Sequence, residues 1–121
     1  MQRPEQLIHK AIVSHLRLRG ARGLVFFHVP NAIHGSGRRF HVQGAIAKSL
    51  GVRAGVSDLI LLHQGRAYAL ELKAAGGKPT PAQKQFCADF YAAGGTSCVV
   101  FGVDQAIETL ERWGLLRRAV T

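Results

Sequence analysis

Acidic residues are scarce in this sequence. Seven Asp and Glu stand against sixteen Lys and Arg in 121 residues, and no acid occurs between Glu5 and Asp58. A surface of one charge repels itself, so the imbalance favours a polyanionic partner, nucleic acid first and an anionic membrane second. The hydrophobic fraction of 47% excludes a disordered basic tail. The length predicts one domain over residues 1–121.

Long hydrophobic runs and closely spaced cysteines are also missing. The apolar stretches are short and interrupted by Arg, His or Gly, so none approaches the roughly 20 residues of a membrane span. The polar opening MQRPEQLIHK is unlike a secretory signal. Cys87 and Cys98 lie among apolar neighbours without a CxxC or zinc spacing, which predicts free, reduced, buried thiols in a cytoplasmic protein.

The hydrophobic pattern predicts eight elements in the order helix, strand, helix, strand, strand, helix, strand, helix. This order is typical of an α/β or α+β sandwich in which helices flank a mixed central β-sheet. The first helix begins at Pro4, and Asp104 is expected to cap the last. The predicted spans are approximately 4–20, 24–29, 41–50, 58–63, 67–73, 80–94, 97–101 and 104–113. In the first two helices the residues expected to face the core are Leu7, Ile8, Ala11, Ile12, Leu16, Val42, Ala45, Ile46 and Leu50.

Two aliphatic runs meet at Gln64-Gly65, a pair that suits a tight hairpin turn. A turn centred there places Asp58 opposite Glu71. Paired residues of a hairpin share one face, with Cβ atoms about 4.5–5.5 Å apart. Lys73 lies two residues beyond Glu71 and points to the same face, whereas Leu72 points into the opposite layer. The pattern therefore predicts two carboxylates and one ammonium side by side.

This trio suggests hydrolytic chemistry. Neighbouring carboxylates repel each other, and a cation between them is the simplest compensation. Oxygen-only ligands suit Mg²⁺ or Mn²⁺ rather than zinc, and an ammonium beside the metal can stabilise phosphate charge or position a water. With the basic surface, the trio predicts metal-dependent phosphodiester hydrolysis. The structural alternative is that Asp58 caps a strand end while Glu71 and Lys73 form a solvated salt bridge.

Five segments in chain order carry a family resemblance. They are Glu5, His28-Val29-Pro30-Asn31, Gly51-Val-Arg-Ala-Gly-Val-Ser-Asp58, Leu70-Glu71-Leu72-Lys73 and Thr80-Pro81-Ala82-Gln83. This ordered set resembles the virus-type replication-repair nuclease (VRR-NUC) family of the PD-(D/E)XK nuclease superfamily, over nearly the whole chain. One departure is visible, because Ser57 stands where the superfamily name has proline.

The resemblance implies a restriction-endonuclease-like core that binds a divalent metal. By this analogy Asp58 and Glu71 bind the metal, the backbone carbonyl of Leu72 is a further ligand, and Lys73 assists catalysis. A first-helix Glu, here Glu5, completes the acidic cluster directly or through metal-bound water.

Glu5 and Gln83 each have a simpler structural interpretation. An acid in the first turn of a helix is favoured by the helix dipole, which explains Glu5 equally well. The resemblance lets Gln83 orient water or phosphate near the metal, but a Gln at this position also completes a capping box with Thr80. Both interpretations stay open for each residue.

Basic residues and a Gly-rich loop over 30–39 are the expected DNA contacts, with glycine allowing close approach and arginine binding phosphates. A zinc site is not indicated, because His28, His34 and His41 match no common ligand spacing. His9 lies one turn beyond Glu5, which would allow a place at the edge of the site, but the default expectation is an ordinary histidine on the helix surface. The residues expected to contact DNA are Asn31, Arg38, Arg39, Lys48, Arg53, Lys78 and Lys84, although Lys78 and Lys84 are equally explained as solvated side chains.

These observations together predict a Mg²⁺- or Mn²⁺-dependent DNA endonuclease. So small a chain favours selection of DNA structure over sequence, and similarity to small standalone relatives implies a homodimer acting on branched DNA, as a Holliday junction resolvase does. The expected location is the cytoplasm of a bacterial or phage-infected host cell. The alternatives are a non-catalytic basic nucleic-acid-binding module with a nuclease-like fold, and a nuclease that acts on RNA.

Overall fold

The computed structural model describes residues 3–30 and 38–118, with residues 38–43 described by their backbone alone. Within these ranges the helices and strands follow the predicted order. The elements are α1 (Pro4–Arg19), β1 (Val25–His28), α2 (Arg38–Ser49), β2 (Leu59–His63), β3 (Arg66–Lys73), α3 (Pro81–Ala92), β4 (Thr96–Phe101) and α4 (Val103–Arg112).

The sheet is mixed, as predicted, with the strand order β1-β2-β3-β4. β1 and β3 both run antiparallel to β2, and β4 runs parallel to β3. The β2–β3 turn lies at Gln64-Gly65, both with positive φ, as a tight primed turn requires. Leu59 pairs with Leu70 and His63 with Arg66, so the predicted hairpin register is confirmed.

The two faces of the sheet pack against different helices. Leu70 and Leu72 point toward α1 and α4 and are fully buried. The opposite face, which carries Glu71, contacts α3. On this face Ser97 of β4 pairs with Ala69, and the Ser97 hydroxyl donates to the Cys87 carbonyl of α3. The main core contains Ile12, Leu16, Leu59, Leu61, Tyr68, Leu70, Leu72, Val100, Ala106, Leu110, Leu115 and Leu116.

Helix α2 differs from the prediction at its start and on its apolar face. It begins at Arg38 rather than at residue 41. Ile46 and Leu50, expected to face the core, are 56% and 79% exposed. Among its described side chains the half-buried positions are Gly44 and Ala47, three residues apart. From residue 44 onward the helix therefore packs through small residues, and Ala45 is exposed with the larger side chains. The side chain of Val42, also expected to face the core, lies outside the described part of the chain.

Two smaller expectations at the other helices were also wrong. Leu7 is largely exposed, because the buried stripe of α1 is narrower and centres on Ile12 and Leu16. Asp104 does not cap α4, because that helix begins one residue earlier, at Val103. Gly102 takes the capping position with φ 88°, and its N–H donates to the Lys73 carbonyl at 2.9 Å.

The loop that leads into Asp58 is fixed against the start of α3 by Gly55. Gly55 has φ +80°, and a Cβ there would lie 2.3 Å from the Ala82 carbonyl carbon and oxygen. Such a distance leaves no room for a methyl group beside rigid backbone. The close approach therefore requires glycine, and it sets the path of the chain toward Asp58.

Gly55→Ala is expected to destabilise the protein by more than the roughly 1–3 kcal/mol that a positive φ alone costs a non-glycine residue. Gly51→Ala is the matched control, since Gly51 has φ +93° with open space around it. Urea unfolding of both variants measures the difference. Equal destabilisation of the two variants would show that the contact with α3 has no energetic importance.

Candidate active site

Asp58, Glu71 and Lys73 meet where the β2–β3 hairpin ends away from its turn. Asp58 immediately precedes β2, and Glu71 and Lys73 occupy the last three positions of β3 together with Leu72. One carboxylate oxygen of Asp58, Oδ2, accepts a hydrogen bond from the Leu72 N–H at 2.8 Å. Glu71 is 3% exposed and Lys73 is 7% exposed. The hairpin thus brings together the three residues that its predicted register placed side by side.

The Glu71 carboxyl group is in an unfavourable environment for a negative charge. Burial, a hydrogen bond with Asp58 and the charge of Asp58 raise the pKa of Glu71 to about 9, while Lys73 acts in the opposite direction. The charge of Glu5 adds to the increase in pKa. Glu71 Oε2 is buried and has no hydrogen-bond partner among the residues that the structure describes. A buried acceptor without a partner is costly unless something else binds it.

Glu71 and Lys73 do not form the solvated salt bridge that the non-catalytic interpretation of the sequence predicts. Among the described side chains, those of residues 3–30 and 44–118, the ion pairs with N···O within 4.0 Å are Arg19 with Glu111 and Arg53 with Asp89. Asp58 likewise accepts a backbone N–H rather than an ammonium. Within the described part of the chain, buried Glu71 and half-buried Asp58 are therefore not neutralised by a direct ion pair.

A cavity of about 680 Å³ opens beside Asp58. The first turns of α1, the end of β1 and the end of β3 form its walls, and Glu5, His9, His28 and Leu72 are among its lining residues. Glu5 is exposed in the first turn of α1. The cavity thus brings Glu5 to the same site as Asp58, 53 positions later in the chain.

Two histidines adjoin Asp58 in this cavity. The ring centroids of His9 and His28 lie 4.4 Å apart in an edge-to-face arrangement. His28 Nδ1 lies 2.8 Å from the backbone carbonyl oxygen of Asp58. Burial, and secondarily the proximity of His28, lower the pKa of His9, whereas Asp58 opposes the change. Residue spacing gave no signal for this pair, since the two histidines come from separate elements.

The donor set at the hairpin end is suited to a divalent cation. Two adjacent carboxyl groups, one of which includes the buried Oε2 of Glu71, provide hard oxygen ligands, which Mg²⁺ and Mn²⁺ prefer. A cation between the carboxyl groups would offset the burial and the repulsion by Asp58 that raise the pKa of Glu71. Asp58 and Glu71 can supply the ligands, with Glu5 and Leu72 on the adjoining cavity wall.

Gln83 lies in the capping box that begins α3. Thr80 Oγ1 accepts from the Gln83 N–H at 3.2 Å, and Gln83 Oε1 accepts from the Thr80 N–H at 2.8 Å. The helix start is therefore as the sequence predicts. In this conformation the side-chain oxygen of Gln83 is engaged with the backbone.

The described residues expected to contact DNA lie on α2, in the loops before β2 and α3, and on α3. Arg53 donates to Asp89 at 2.5 Å, and its guanidinium carbon lies 5.3 Å from the centre of the Phe86 ring. Arg38 and Arg39 begin α2, and their side chains lie outside the described part of the chain, as does Asn31 entirely. The exposed lysines of the predicted set are Lys48, Lys78 and Lys84.

Comparison with known proteins connects this geometry to a known fold. No family model matches the chain, and no curated protein matches it. A solved structure named "VRR_NUC domain protein" superposes with a TM-score of 0.69 and 23% identity, covering 93% of this chain and 89% of that one. The chain has the VRR-NUC fold. A second structure, named "VRR_NUC domain", gives a TM-score of 0.60 at 20% identity, covering 90% of this chain and 96% of the other.

The VRR-NUC fold confirms the structural part of the sequence resemblance. The mixed four-stranded sheet with flanking helices is the predicted α+β architecture and is consistent with a PD-(D/E)XK-like core. Across the described ranges, no helix combines the length and apolar character needed to cross a membrane.

Proposed function

We propose that this chain is a metal-dependent DNA endonuclease of the VRR-NUC family, with residues 1–121 as its single nuclease domain. The observation that carries the proposal is the pair of adjacent carboxyl groups of Asp58 and Glu71, with buried Lys73 on the same strand face of a VRR-NUC fold. Burial of Glu71 and Lys73 beside half-buried Asp58, with no direct ion pair among the described side chains, is costly for stability, and catalysis is the simplest reason to retain it.

Asp58 and Glu71 hold Mg²⁺ or Mn²⁺ in this proposal. The backbone carbonyl of Leu72 is a further ligand, and Glu5 completes the site directly or through a water. When bound, the cation supplies charge stabilisation to the phosphate and lowers the pKa of a coordinated water. The Leu72 N–H keeps Asp58 Oδ2 oriented, so the Asp58 carboxylate is fixed before any ligand binds.

Lys73 carries the positive charge closest to the reacting phosphate in this proposal. Its side chain is almost entirely removed from solvent, and an ammonium group in a site that excludes water interacts more strongly with developing negative charge. Gln83 is proposed to orient a water or a phosphate oxygen once substrate binds, exchanging the capping hydrogen bond that its side chain makes with Thr80.

The basic surface is proposed to bind the DNA backbone. The formal charge of +9 supplies attraction over a long range. Arg53 belongs to the proposed set even though Asp89 binds its guanidinium, because a phosphate can replace an exposed carboxylate as the partner. The full set is Asn31, Arg38, Arg39, Lys48, Arg53, Lys78 and Lys84.

Branched DNA is the proposed substrate, and a homodimer the proposed assembly. Both proposals rest on the resemblance to small VRR-NUC nucleases and on the limited surface that so small a chain has for reading a DNA sequence. A Holliday junction resolvase, working in DNA repair or phage replication in the cytoplasm, is the preferred subtype.

Cleavage assays on a panel of substrates test this proposal. Labelled four-way junction, flap, duplex and single-stranded DNA, with matched RNA strands, are incubated with Mg²⁺, Mn²⁺ or EDTA. We expect metal-dependent cleavage of the branched DNAs and none by Asp58→Asn. Binding without cleavage under both metals would favour the non-catalytic nucleic-acid-binding module, and preferential cleavage of RNA would favour the RNA nuclease.

A further inference from the structure

Asp58 and Glu71 together are the proposed carboxylate centre. His9 and His28 form a cluster with Asp58 that this centre does not explain. One ring nitrogen of each histidine and one carboxylate oxygen of Asp58 all lie within 4.8 Å of one another. α1 supplies His9, the end of β1 supplies His28, and Asp58 precedes β2. Three separate segments of the fold thus converge on one point of the cavity beside the hairpin end.

The hydrogen bond of His28 determines which of its ring nitrogens can bind a metal ion. A backbone carbonyl oxygen only accepts hydrogen bonds, so Nδ1, which lies 2.8 Å from the Asp58 carbonyl, carries the proton. The neutral ring then has its lone pair on Nε2. Metal-binding histidines commonly donate their other ring N–H to a carbonyl or carboxylate in this way, which fixes the tautomer and the ring orientation.

The arrangement of the two rings also suits the binding of one shared metal ion. His9 and His28 meet edge-to-face, with centroids 4.4 Å apart. Bonds of about 2.1 Å place the ligands of a tetrahedral ion about 3.4 Å apart. The donor atoms of the cluster lie within 4.8 Å of one another, so they need to approach by at most about 1.4 Å, which small side-chain rotations can supply.

We propose that His9, His28 and Asp58 form a second metal site, which shares Asp58 with the carboxylate centre and takes a divalent transition-metal ion such as Co²⁺ or Zn²⁺. Imidazole nitrogen is a good ligand for these ions, whereas Mg²⁺ prefers oxygen throughout. Three protein ligands leave coordination positions open, as in catalytic rather than structural metal sites. The second site adds a metal to the proposed function. The statement that the two sites share Asp58 rests on that proposed function.

Visible absorption of Co²⁺ tests the second site without reference to cleavage. Untagged protein is titrated with Co²⁺, whose d–d bands report nitrogen ligation and coordination number. We expect the bands to be lost, or the Co²⁺ affinity to fall by more than about tenfold, in His9→Gln and in His28→Gln. Glu71→Gln is expected to retain the bands, because Glu71 belongs to the other centre.

His63→Gln is the matched control. The His63 ring also bonds a backbone carbonyl, that of Arg22 at 3.1 Å, but it lies at the opposite end of β2. Its replacement is expected to leave the Co²⁺ spectrum unchanged. Circular dichroism in EDTA shows whether each variant is folded, and ¹⁵N shifts of the wild-type imidazoles on Zn²⁺ addition identify the bound rings without any substitution.

Two results would overturn the second site. One is a Co²⁺ spectrum that neither His9→Gln nor His28→Gln changes, and the other is the absence of any shift in the wild-type imidazole signals with Zn²⁺. Loss of the bands in both histidine variants of a protein that cleaves no nucleic acid would contradict the nuclease proposal while supporting this site.

Discussion

Glu71→Gln is expected to stabilise the metal-free protein while removing nucleic-acid cleavage. Glutamine has nearly the same volume, carries no charge and can donate to Asp58, so it removes the cost of burying an ionisable carboxyl group next to Asp58. At pH 8, where a Glu in the unfolded chain is ionised, we expect the gain to be about 1–3 kcal/mol. Thermal unfolding in EDTA measures the gain, and a junction cleavage assay measures the loss.

The stabilisation should depend on pH in a defined direction. The pKa of Glu71 is raised from 4.5 to about 9 in the folded protein, so between these values the folded state binds more protons than the unfolded state. The contribution of Glu71 to the stability of the metal-free wild type therefore falls as pH rises through this window. Glu71→Gln lacks this dependence. Its gain in the free energy of unfolding over wild type is therefore absent below pH 4.5 and greatest near pH 9.

Glu108→Gln is the matched control, because Glu108 is an exposed acid on α4. It is expected to change neither the stability nor its pH dependence by more than about 0.5 kcal/mol. Added Mg²⁺ or Mn²⁺ should stabilise the wild type, because an ion that binds only the folded state raises its stability, and should not stabilise Glu71→Gln. A metal-free Glu71→Gln that is less stable than wild type at pH 8 would contradict this account.

Lys73→Met is expected to slow cleavage by about 10²–10³-fold while DNA affinity stays within about twofold. Methionine retains an aliphatic stem for the buried strand position, and the loss of a preorganised positive charge near the reacting phosphate accounts for the rate. Single-turnover cleavage in Mg²⁺ gives the rate, and fluorescence anisotropy with the same DNA gives the affinity.

Arg66→Met controls for the removal of one positive charge from β3. Arg66 is exposed at the turn end of the strand, far from Lys73 along the hairpin. Its substitution is expected to leave the cleavage rate unchanged. If Lys73→Met cleaves as fast as Arg66→Met, the Lys73 ammonium group has no part in catalysis.

The β2–β3 hairpin shows which part of the site follows from local sequence. Gln64-Gly65 specifies the turn, the turn fixes the register, and the register places Glu71 and Lys73 on one face. A shift by one residue would have moved both side chains into the opposite layer. This part was predictable because all of its determinants lie within sixteen residues, from Asp58 to Lys73.

Other features depend on contacts between distant segments. The hydrophobic pattern of α2 did not reveal that Ile46 and Leu50 are exposed, because periodicity shows an apolar face but not which neighbour covers it. The carboxylate that binds Arg53 lies 36 positions away, in α3. The meeting of His9 with His28 likewise requires α1 to cross the end of β1, which no spacing in the sequence encodes.

Metal-dependent cleavage by wild type and Asp58→Asn tests the central claim most directly. Both proteins are incubated with a labelled four-way junction under single-turnover conditions, in Mn²⁺ and in EDTA, after anisotropy has confirmed that each binds the DNA. The account predicts cleavage by wild type in Mn²⁺ alone and none by Asp58→Asn. Cleavage that persists in EDTA, or an Asp58→Asn variant that cleaves at the wild-type rate, would contradict it.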